Sequence, residues 1–471
     1  MPDRPNILII MSDEHAPQFS SVHGHALVQS PNMERLAGMG VTFDNAYCNS
    51  PICGPSRMSF MTGRYISRIG AYDNGFPLST GAVTWAHRLS NAGYDVALSG
   101  KQHFCGPDQL HGFHTQLARD LHAESWTENG VPRGAPDWQA GIIDVRRPWG
   151  GVEEAGPGTT TSIEVDDQVE AAALAYIKDP ARTAQPWCLN VGFIAPHFPL
   201  VVPQRFWDLY PLDQIDMPDI PEGHLQSMHP VYQRMRRMFG LADFSPELVR
   251  RGRAGYYGLI TYLDEKIGRL IDSLEASGQL DNTIIIHTSD HGEMNGEHGM
   301  WRKSNMYEAS SRIPLQIAWP GRIPRGSRIP QNVSLVDLVA TIVEAAGAAP
   351  DDVAPLDGDS LMPLIDGDTA SWKDEAFCEY LAHGVLRPVG MLKKGKHKLN
   401  ISLGDAPELF NTASDPGEFD DLAASPEHGN LLRDMHERLL QIWGDPQAVE
   451  QQVLTSQQER RFIEKAGPAG P

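Results

Sequence analysis

Read from the amino terminus, short continuous apolar runs alternate with longer segments in which apolar residues return every three or four positions. A strand covered on both sides carries no polar face, whereas a covering helix keeps one, so this alternation predicts a mostly parallel sheet with helices on both faces. Strands are expected from Asn6 to Met11, Tyr94 to Leu98, Trp187 to Phe193, Thr283 to Thr288 and Leu315 to Trp319. Helices are expected from Ile163 to Ile177, from Pro246 to Leu274 and from Ser334 to Ala346. A further one runs from Pro31 through Leu36 and Met39, with Ser30 as its cap, Pro31 at the first helical position and Gly40 as its stop. In the longest pattern, Leu259, Tyr262, Leu263, Ile267, Leu270 and Ile271 share one face and are expected in the core.

Two stretches break the alternation. Trp126 to Thr161 is rich in Gly and Pro and has little periodicity, which predicts loops over a sheet edge of the kind that shape a substrate pocket. The Pro/Asp/Gly-rich segment from Ala348 to Gly367 marks a domain boundary. The chain has 471 residues, more than one core usually organises, so the expected architecture is a large α/β domain at 1–367 and a small α+β domain at 368–471. The tail from about Pro446 reads as weakly ordered, and no internal repeat is visible.

Charge narrows the partners. The net charge of −21 would repel a nucleic-acid backbone or a long sulfated polysaccharide, while a small anionic ester reaching a locally positive pocket is compatible with it. No run reaches membrane-spanning length, and Asn6 to Met11 is too short and too acidic at its end for a signal peptide, so a soluble cytoplasmic protein is expected. A homo-oligomer is equally compatible with this composition. The five cysteines, Cys48, Cys53, Cys105, Cys188 and Cys378, are odd in number and hold no close pair; neither a disulfide framework nor a structural zinc site is indicated.

Two of the expected strands end in acidic clusters, Ser12-Asp13-Glu14 and Ser289-Asp290-His291-Gly292. Ligands gather at the carboxyl ends of strands in such sheets, so both clusters point to one divalent-cation site. The competing reading is that each Asp caps a following helix. A third element is Cys53-Gly54-Pro55-Ser56-Arg57, followed by Met61-Thr62-Gly63-Arg64. An isolated cysteine is ordinarily a small buried hydrophobe.

The neighbours of Cys53 change that judgement. Cysteine, proline, serine and arginine at this spacing, completed by Thr-Gly-Arg, resemble the signature that sulfatases present to a maturation enzyme, which oxidises the cysteine to formylglycine. The resemblance continues through Ser99-Gly100-Lys101-Gln102-His103, Ala195-Pro196-His197, Ser289 to Gly292, Trp301-Arg302-Lys303, and Glu408-Leu409-Phe410 with Asp415-Pro416 and Glu418. Their order is similar to the sulfatase branch of the alkaline phosphatase superfamily. Lys101 to Gly112, with Tyr72-Asp73-Asn74, looks most similar to choline sulfatases and the related phosphonate monoester hydrolases. Singly, Lys101 and His103 would read as solvated surface, His197 as a loop residue and Lys303 as half of a surface ion pair. Their joint order marks them as a site.

The resemblance implies a sulfuric ester hydrolase, arylsulfatase- or choline-sulfatase-like, acting on a small sulfate monoester through formylglycine at position 53. It implies one divalent metal held by Asp13, Asp290 and His291, with Glu14 and an oxygen of the formylglycine completing the set. Arg57 and Lys101 would orient the hydrated aldehyde, and His103 would act as the base that releases sulfate. His197 and Lys303 would hold sulfuryl oxygens and assist the leaving oxygen, and Asn74 would donate to the transferring group. Many sulfatases carry Asp-Asp and Asp-Asn where this chain has Asp13-Glu14 and Asp290-His291. The imidazole moves the expected metal from calcium toward manganese or zinc. The same machinery would serve a phosphonate monoester or phosphate diester hydrolase, and a non-catalytic anion-binding protein would have no use for Cys53, Pro55 and Arg57 together. A quaternary ammonium substrate would need an aromatic cage, to which Trp126, Trp138 or Trp149 could contribute.

Overall fold

Asn6–Asp13 is buried along its whole length and lies near the middle of a nine-stranded sheet. The computed structural model describes residues 4–121, 151–241, 244–348, 354–381 and 384–466. Across the sheet the order is Ser327–Ser334, Val41–Tyr47, Leu315–Ala318, Thr283–Ser289, Asn6–Asp13, Trp187–Pro196, Asp95–Gly100 and Thr115–Ala118, with Arg312–Ile313 beside Val41–Tyr47. Among these strands Leu315–Ala318 and Arg312–Ile313 run antiparallel to their neighbours and the other pairings are parallel. This is the expected mixed, mostly parallel α/β sheet. Val41–Tyr47 and Ser327–Ser334 escaped the apolar-run criterion because Thr42, Asp44, Asn45, Arg328 and Gln331 interrupt them.

Helices Pro31–Met39, Thr161–Lys178 and Pro246–Ala276 pack together, as do Cys53–Thr62, Trp85–Asn91 and Leu335–Ala345. Ser30 stands at the cap position of the first but makes no side-chain capping bond; its hydroxyl pairs with Ser20 and Ser21. The Asp264 carboxylate accepts the Asn32 and Met33 N–H groups instead, at 3.1 and 2.8 Å. The cap is therefore supplied across the fold, where a local reading does not reach.

A second, antiparallel sheet of four strands, Glu375–Tyr380, Val389–Lys394, His397–Ser402 and Glu408–Asn411, follows the large one. Phe377 packs edge-on against Tyr65 at 4.9 Å, so its core meets the segment after Thr62. The expectation of a weakly ordered tail fails. Pro446–Ala466 is a 21-residue helix with Val449 and Val453 buried. Its apolar residues are too few to make a stripe, and its order comes from those two valines and from Arg460, which ion-pairs with Asp73. Trp126, Trp138 and Trp149 lie outside the described residues, as does most of the predicted loop. Its last part forms the short turn Val152–Glu154 and a two-residue strand, Gly156–Pro157, paired with Val201–Val202.

Candidate active site

Parallel pairing brings the separate motifs to one rim. Ser12 lies opposite Ser289, Asp13 opposite Pro196 and Gly100 opposite Gly192, so Asp13, Asp290, His197 and Lys101 all emerge where their strands end. Glu14 and His103 turn out of the strand direction in the left-handed region, with φ of 64° and 60°. Neither Asp13 nor Asp290 precedes a regular helix, which removes the capping reading.

Cys53 opens the wholly buried helix Cys53–Thr62. Gly63 ends it at φ 67°, and a Cβ there would come within 2.6 Å of Leu356 and 2.9 Å of Val339, so the Thr-Gly-Arg part of the signature has a packing reason. From the second turn Arg57 reaches back to the rim. Its Nε donates to Asp290 Oδ2 at 2.8 Å, Nη1 to the Lys101 carbonyl at 2.9 Å, and Nη2 to the Ser12 carbonyl at 3.3 Å and Asp13 Oδ2 at 3.4 Å. Ser56 Oγ donates to the Asp290 carbonyl at 2.5 Å. Lys101 Nζ forms an ion pair with Asp13 Oδ2.

Cys53 Sγ lies 3.2 Å from His291 Nε2 and 3.6 Å from Asp13 Oδ1. His291 Nε2 is 3.6 Å from Asp290 Oδ1, and its Nδ1 is 2.9 Å from the Gly292 carbonyl. Because Nδ1 must donate there, Nε2 is the atom turned toward the carboxylates. Ligand atoms of Asp13, Cys53, Asp290 and His291 all lie within 4.8 Å of one another. Asp13, Glu14 and His197 form a second such group. The Glu14 carboxylate faces a different part of the site: Oε2 lies 2.9 Å from His197 Nε2 and 3.0 Å from Lys303 Nζ, while the Glu14 N–H donates to Asp290 Oδ1. Asn74 Oδ1 accepts the Gly54 N–H at 2.9 Å, at the start of the Cys53 helix. Lys101, His103, His197 and Lys303 are all buried, so the surface readings of Lys101, His103 and Lys303 do not hold, and His197 lies in the loop after its strand but turned inward.

Electrostatics divide the groups. Burial pushes the Cys53 thiol up, but Lys101, Lys303 and His291 outweigh it and hold it well below its ordinary value. Burial also raises Glu14, and His197 and Lys303 hold it well below the carboxylate range. For Asp13, burial and the Cys53 sulfur are overcome by Lys101, His197 and Arg57, leaving it lowered. Asp290 stays raised: burial outweighs Arg57, with Asp13 adding repulsion. His291 rises to about 10 because Asp290 and the Cys53 sulfur overcome its burial. Carboxylates that repel each other around an imidazole nitrogen are the donor set a divalent cation satisfies.

Sequence reasoning missed two supporting carboxylates. Asp120 Oδ2 accepts the Gln102 and His103 N–H groups at 2.9 and 2.6 Å, fixing the turn that carries His103. Glu293 Oε1 accepts the Asn295 and Arg302 N–H groups, both at 2.7 Å, tying the Asp290 segment to Lys303. Asp120 has no local signal, because it acts on backbone 17 and 18 residues away, whereas Glu293 caps its own turn at Asn295 and also reaches the more distant Arg302.

Residues 5–348 match the sulfatase family model, and residues 296–444 match the model of the N-sulphoglucosamine sulphohydrolase C-terminal region. The chain is 37% identical over 435 residues to a choline-sulfatase of Rhizobium meliloti, covering 90% of this chain and 83% of that protein. It is 29% identical over 462 residues to an arylsulfatase of Clostridium perfringens, covering 90% and 91%. Among solved structures, the phosphonate monoester hydrolase of Agrobacterium radiobacter superposes with a TM-score of 0.77 at 24% identity, covering 93% of this chain and 95% of that one. That last likeness concerns the fold.

Proposed function

The chain belongs to the sulfatase family and is a sulfuric ester hydrolase, and from that premise we propose that it cleaves small sulfate monoesters with formylglycine made from Cys53 and one divalent metal ion. The observation that carries this reading is the placing of Cys53 Sγ among Asp13, Asp290 and His291, under Lys101 and Arg57. In that position the sulfur stands where an oxygen of the matured residue would sit.

Asp13, Asp290 and His291 would hold the cation, and Glu14, whose Oε2 is engaged by His197 and Lys303, would offer its other oxygen. Two or three carboxylates with one imidazole suit manganese or calcium, and accept zinc. The ion would supply charge neutralisation, and a hydrated aldehyde would supply both a nucleophilic oxygen and a way to let sulfate go without a second attack at sulfur. The remaining steps belong to the chain's own groups. Arg57 and Lys101 align Asp13 and Asp290 and orient the hydrated aldehyde. His103, held by Asp120 through its backbone, takes the proton whose loss frees sulfate. His197 and Lys303, both charged against Glu14, hold the anion and protonate or stabilise the departing alcohol oxygen. Asn74 donates to the transferring group.

We further propose that a maturation enzyme oxidises Cys53, that residues 1–367 form the catalytic domain and 368–471 the small domain, and that the protein works in the cytoplasm. Among the described residues no helix is long and apolar enough to cross a membrane. The competing reading, phosphonate monoester or phosphate diester hydrolysis, uses the same residues.

Substrate preference separates the two. Matched nitrophenyl sulfate, phosphonate, phosphate diester and phosphate monoester are compared on one matured preparation with calcium, manganese and zinc. The sulfate should lead or share the lead with the phosphonate, and the doubly charged phosphate monoester should trail because its second charge meets Asp13 and Asp290 without an added cation. A phosphonate or diester rate above the sulfate rate by about a hundredfold, roughly 3 kcal/mol of transition-state preference, would reverse the assignment.

A further inference from the structure

The C-terminal helix reaches the site through one ion pair. Arg460 Nη1 donates to Asp73 Oδ1 at 3.0 Å, and Nη2 pairs with Asp73 Oδ2, so the guanidinium fork takes both oxygens across 387 residues of chain. Both side chains are nearly sealed from solvent, at 10% exposure for Arg460 and 4% for Asp73. Asp73 also organises its own turn: Oδ1 accepts the Gly75 N–H at 3.0 Å and its carbonyl accepts the Phe76 N–H at 3.2 Å. Asn74 is the second residue of that turn.

Asn74 has little freedom to move without consequence. Its Oδ1 accepts the Gly54 N–H, and a Cβ on Gly54 would sit 3.2 Å from the Asn74 Cα, so loop and nucleophile helix are in close backbone approach. Its carbonyl accepts from Cys105 Sγ at 3.1 Å, which ties it to the segment following His103. Oδ1 is engaged at Gly54, and the proposed function gives the Asn74 amide the role of donating to the anion.

Tyr72, just before the turn, packs in the same core as Val449 and Val453 of the helix, but among the described residues the far side of the turn borders open space. An apolar cavity of about 890 Å³ separates the loop from the helix, lined by Tyr72, Phe76, Pro77, Pro107, Thr455 and Ile463 among others. Beside that packing, the helix meets the loop at the Tyr72 to Gln452 bond of 3.3 Å and at the Arg460 fork, whose guanidinium also lies 5.5 Å from the Phe76 ring centre. Removing Arg460 leaves a buried carboxylate without its cation, and the relief available is rotation of Asp73 toward the cavity or water. That rotation opens the turn and withdraws Asn74.

We propose that Arg460 is a positioning residue for sulfate-ester hydrolysis: it acts through Asp73 to fix the turn that presents Asn74 beside the start of the Cys53 helix. The inference rests on the proposed function above. Its consequence is that the C-terminal helix, remote in sequence from every other site residue, is part of the catalytic apparatus.

The test uses the full-length protein from a host that matures Cys53, with the aldehyde content of each preparation measured by peptide mass spectrometry and rates divided by it. Arg460→Met is expected to lower kcat for nitrophenyl sulfate about tenfold while KM moves less than about twofold, and Arg460→Lys, which keeps charge but loses the fork, should fall between. In an Asn74→Ala background, Arg460→Met should change kcat by less than about twofold, since the group being positioned is already gone. A general loss of fold quality would lower both backgrounds alike. Wild-type kcat in Arg460→Met, or an equal loss with and without Asn74, overturns the inference. Should Arg460→Met not fold, the Arg460→Lys pair decides by the same comparison. An aldehyde-bearing wild type that turns over no sulfate ester would overturn the proposed function and this inference with it; an active wild type indifferent to Arg460 overturns the inference alone.

Discussion

The Nε2 atom of His291 lies 3.2 Å from the Cys53 sulfur, although 238 residues separate them. The imidazole is aimed by its other nitrogen, whose hydrogen bond to the Gly292 carbonyl leaves Nε2 no direction but inward. The helix that starts at Cys53 and the strand that ends at Ser289 thus meet at one point, and the chemistry proposed for each depends on the other.

Oxidation of Cys53 is the first expected outcome. Tryptic peptide mass spectrometry on protein from a maturing host should show the aldehyde and its hydrate in place of the thiol, and fully active protein with an intact thiol would refute the assignment. Cys53→Ala should cut turnover by at least roughly 10⁴-fold with little change in Tm, because the nucleophile is lost while the helix keeps its other buried contacts.

Metal affinity should depend on both Asp290 and pH. Asp290→Asn is expected to weaken binding by about a hundredfold or more, since it removes charge from a set in which Arg57 already neutralises part of it. In the unmatured chain without metal, Asp290 and the Cys53 sulfur raise His291 to about 10, so binding to that form at neutral pH must expel a proton. Apparent affinity should therefore fall by up to about tenfold for each unit that pH is lowered, as read by calorimetric titration in buffers of different ionisation heat. An affinity that does not change with pH across the neutral range would show that His291 carries no proton to give up on binding.

Leaving-group dependence should expose His197 and Lys303. If they assist the departing oxygen, His197→Ala and Lys303→Ala lose about 10²-fold or more with a poorly departing alkyl or phenyl sulfate and much less with nitrophenyl sulfate. Equal losses across a series of leaving groups would confine both residues to holding the anion.

Stability should respond to Lys398, which is fully buried between Glu308 and Glu418 at 3.1 and 2.7 Å, with Tyr47 also donating to Glu308. Lys398→Met leaves the buried Glu418 without its cation and Glu308 with only Arg312 at 3.7 Å, and should cost about 3–5 kcal/mol of unfolding free energy. Burial raises Glu418 to about 7 from its ordinary 4.5, against the pull of Lys398. Folding thus favours its protonated form, and the stability it contributes is complete below 4.5 and lost as pH rises through 7. The loss in Lys398→Met should be smaller near pH 5 than near pH 8 in denaturant titrations, and a loss independent of pH would show that Glu418 does not titrate in this range.

How far local sequence carried is clear from particular elements. The apolar runs at Asn6, Trp187 and Thr283 located the central strands, because a strand buried on both faces leaves no polar position to confuse the pattern. The family motifs named Asp13, Cys53, Arg57, Lys101, His103, His197, Asp290, His291 and Lys303 as one set, and the parallel strand ends bring them to one rim. A motif of this kind is local: its residues are neighbours in the chain and its chemistry is written in their types.

What only the tertiary structure decided lies in contacts between residues far apart in the chain. Glu14 sits beside Asp13 in sequence, yet its carboxylate turns to His197 and Lys303 because the backbone enters the left-handed region immediately after the strand. Asp264 rather than Ser30 supplies the first helix cap, Asp120 stiffens a turn it does not belong to, and Glu293 ties its own turn to the distant Arg302. Pro446–Ala466 looked weakly ordered because its sequence offers few apolar residues, and it folds because two valines find a core and Arg460 finds Asp73. Composition and periodicity record what a segment can bury by itself. They are silent about the buried charges whose only stable state is a partner brought hundreds of residues through space.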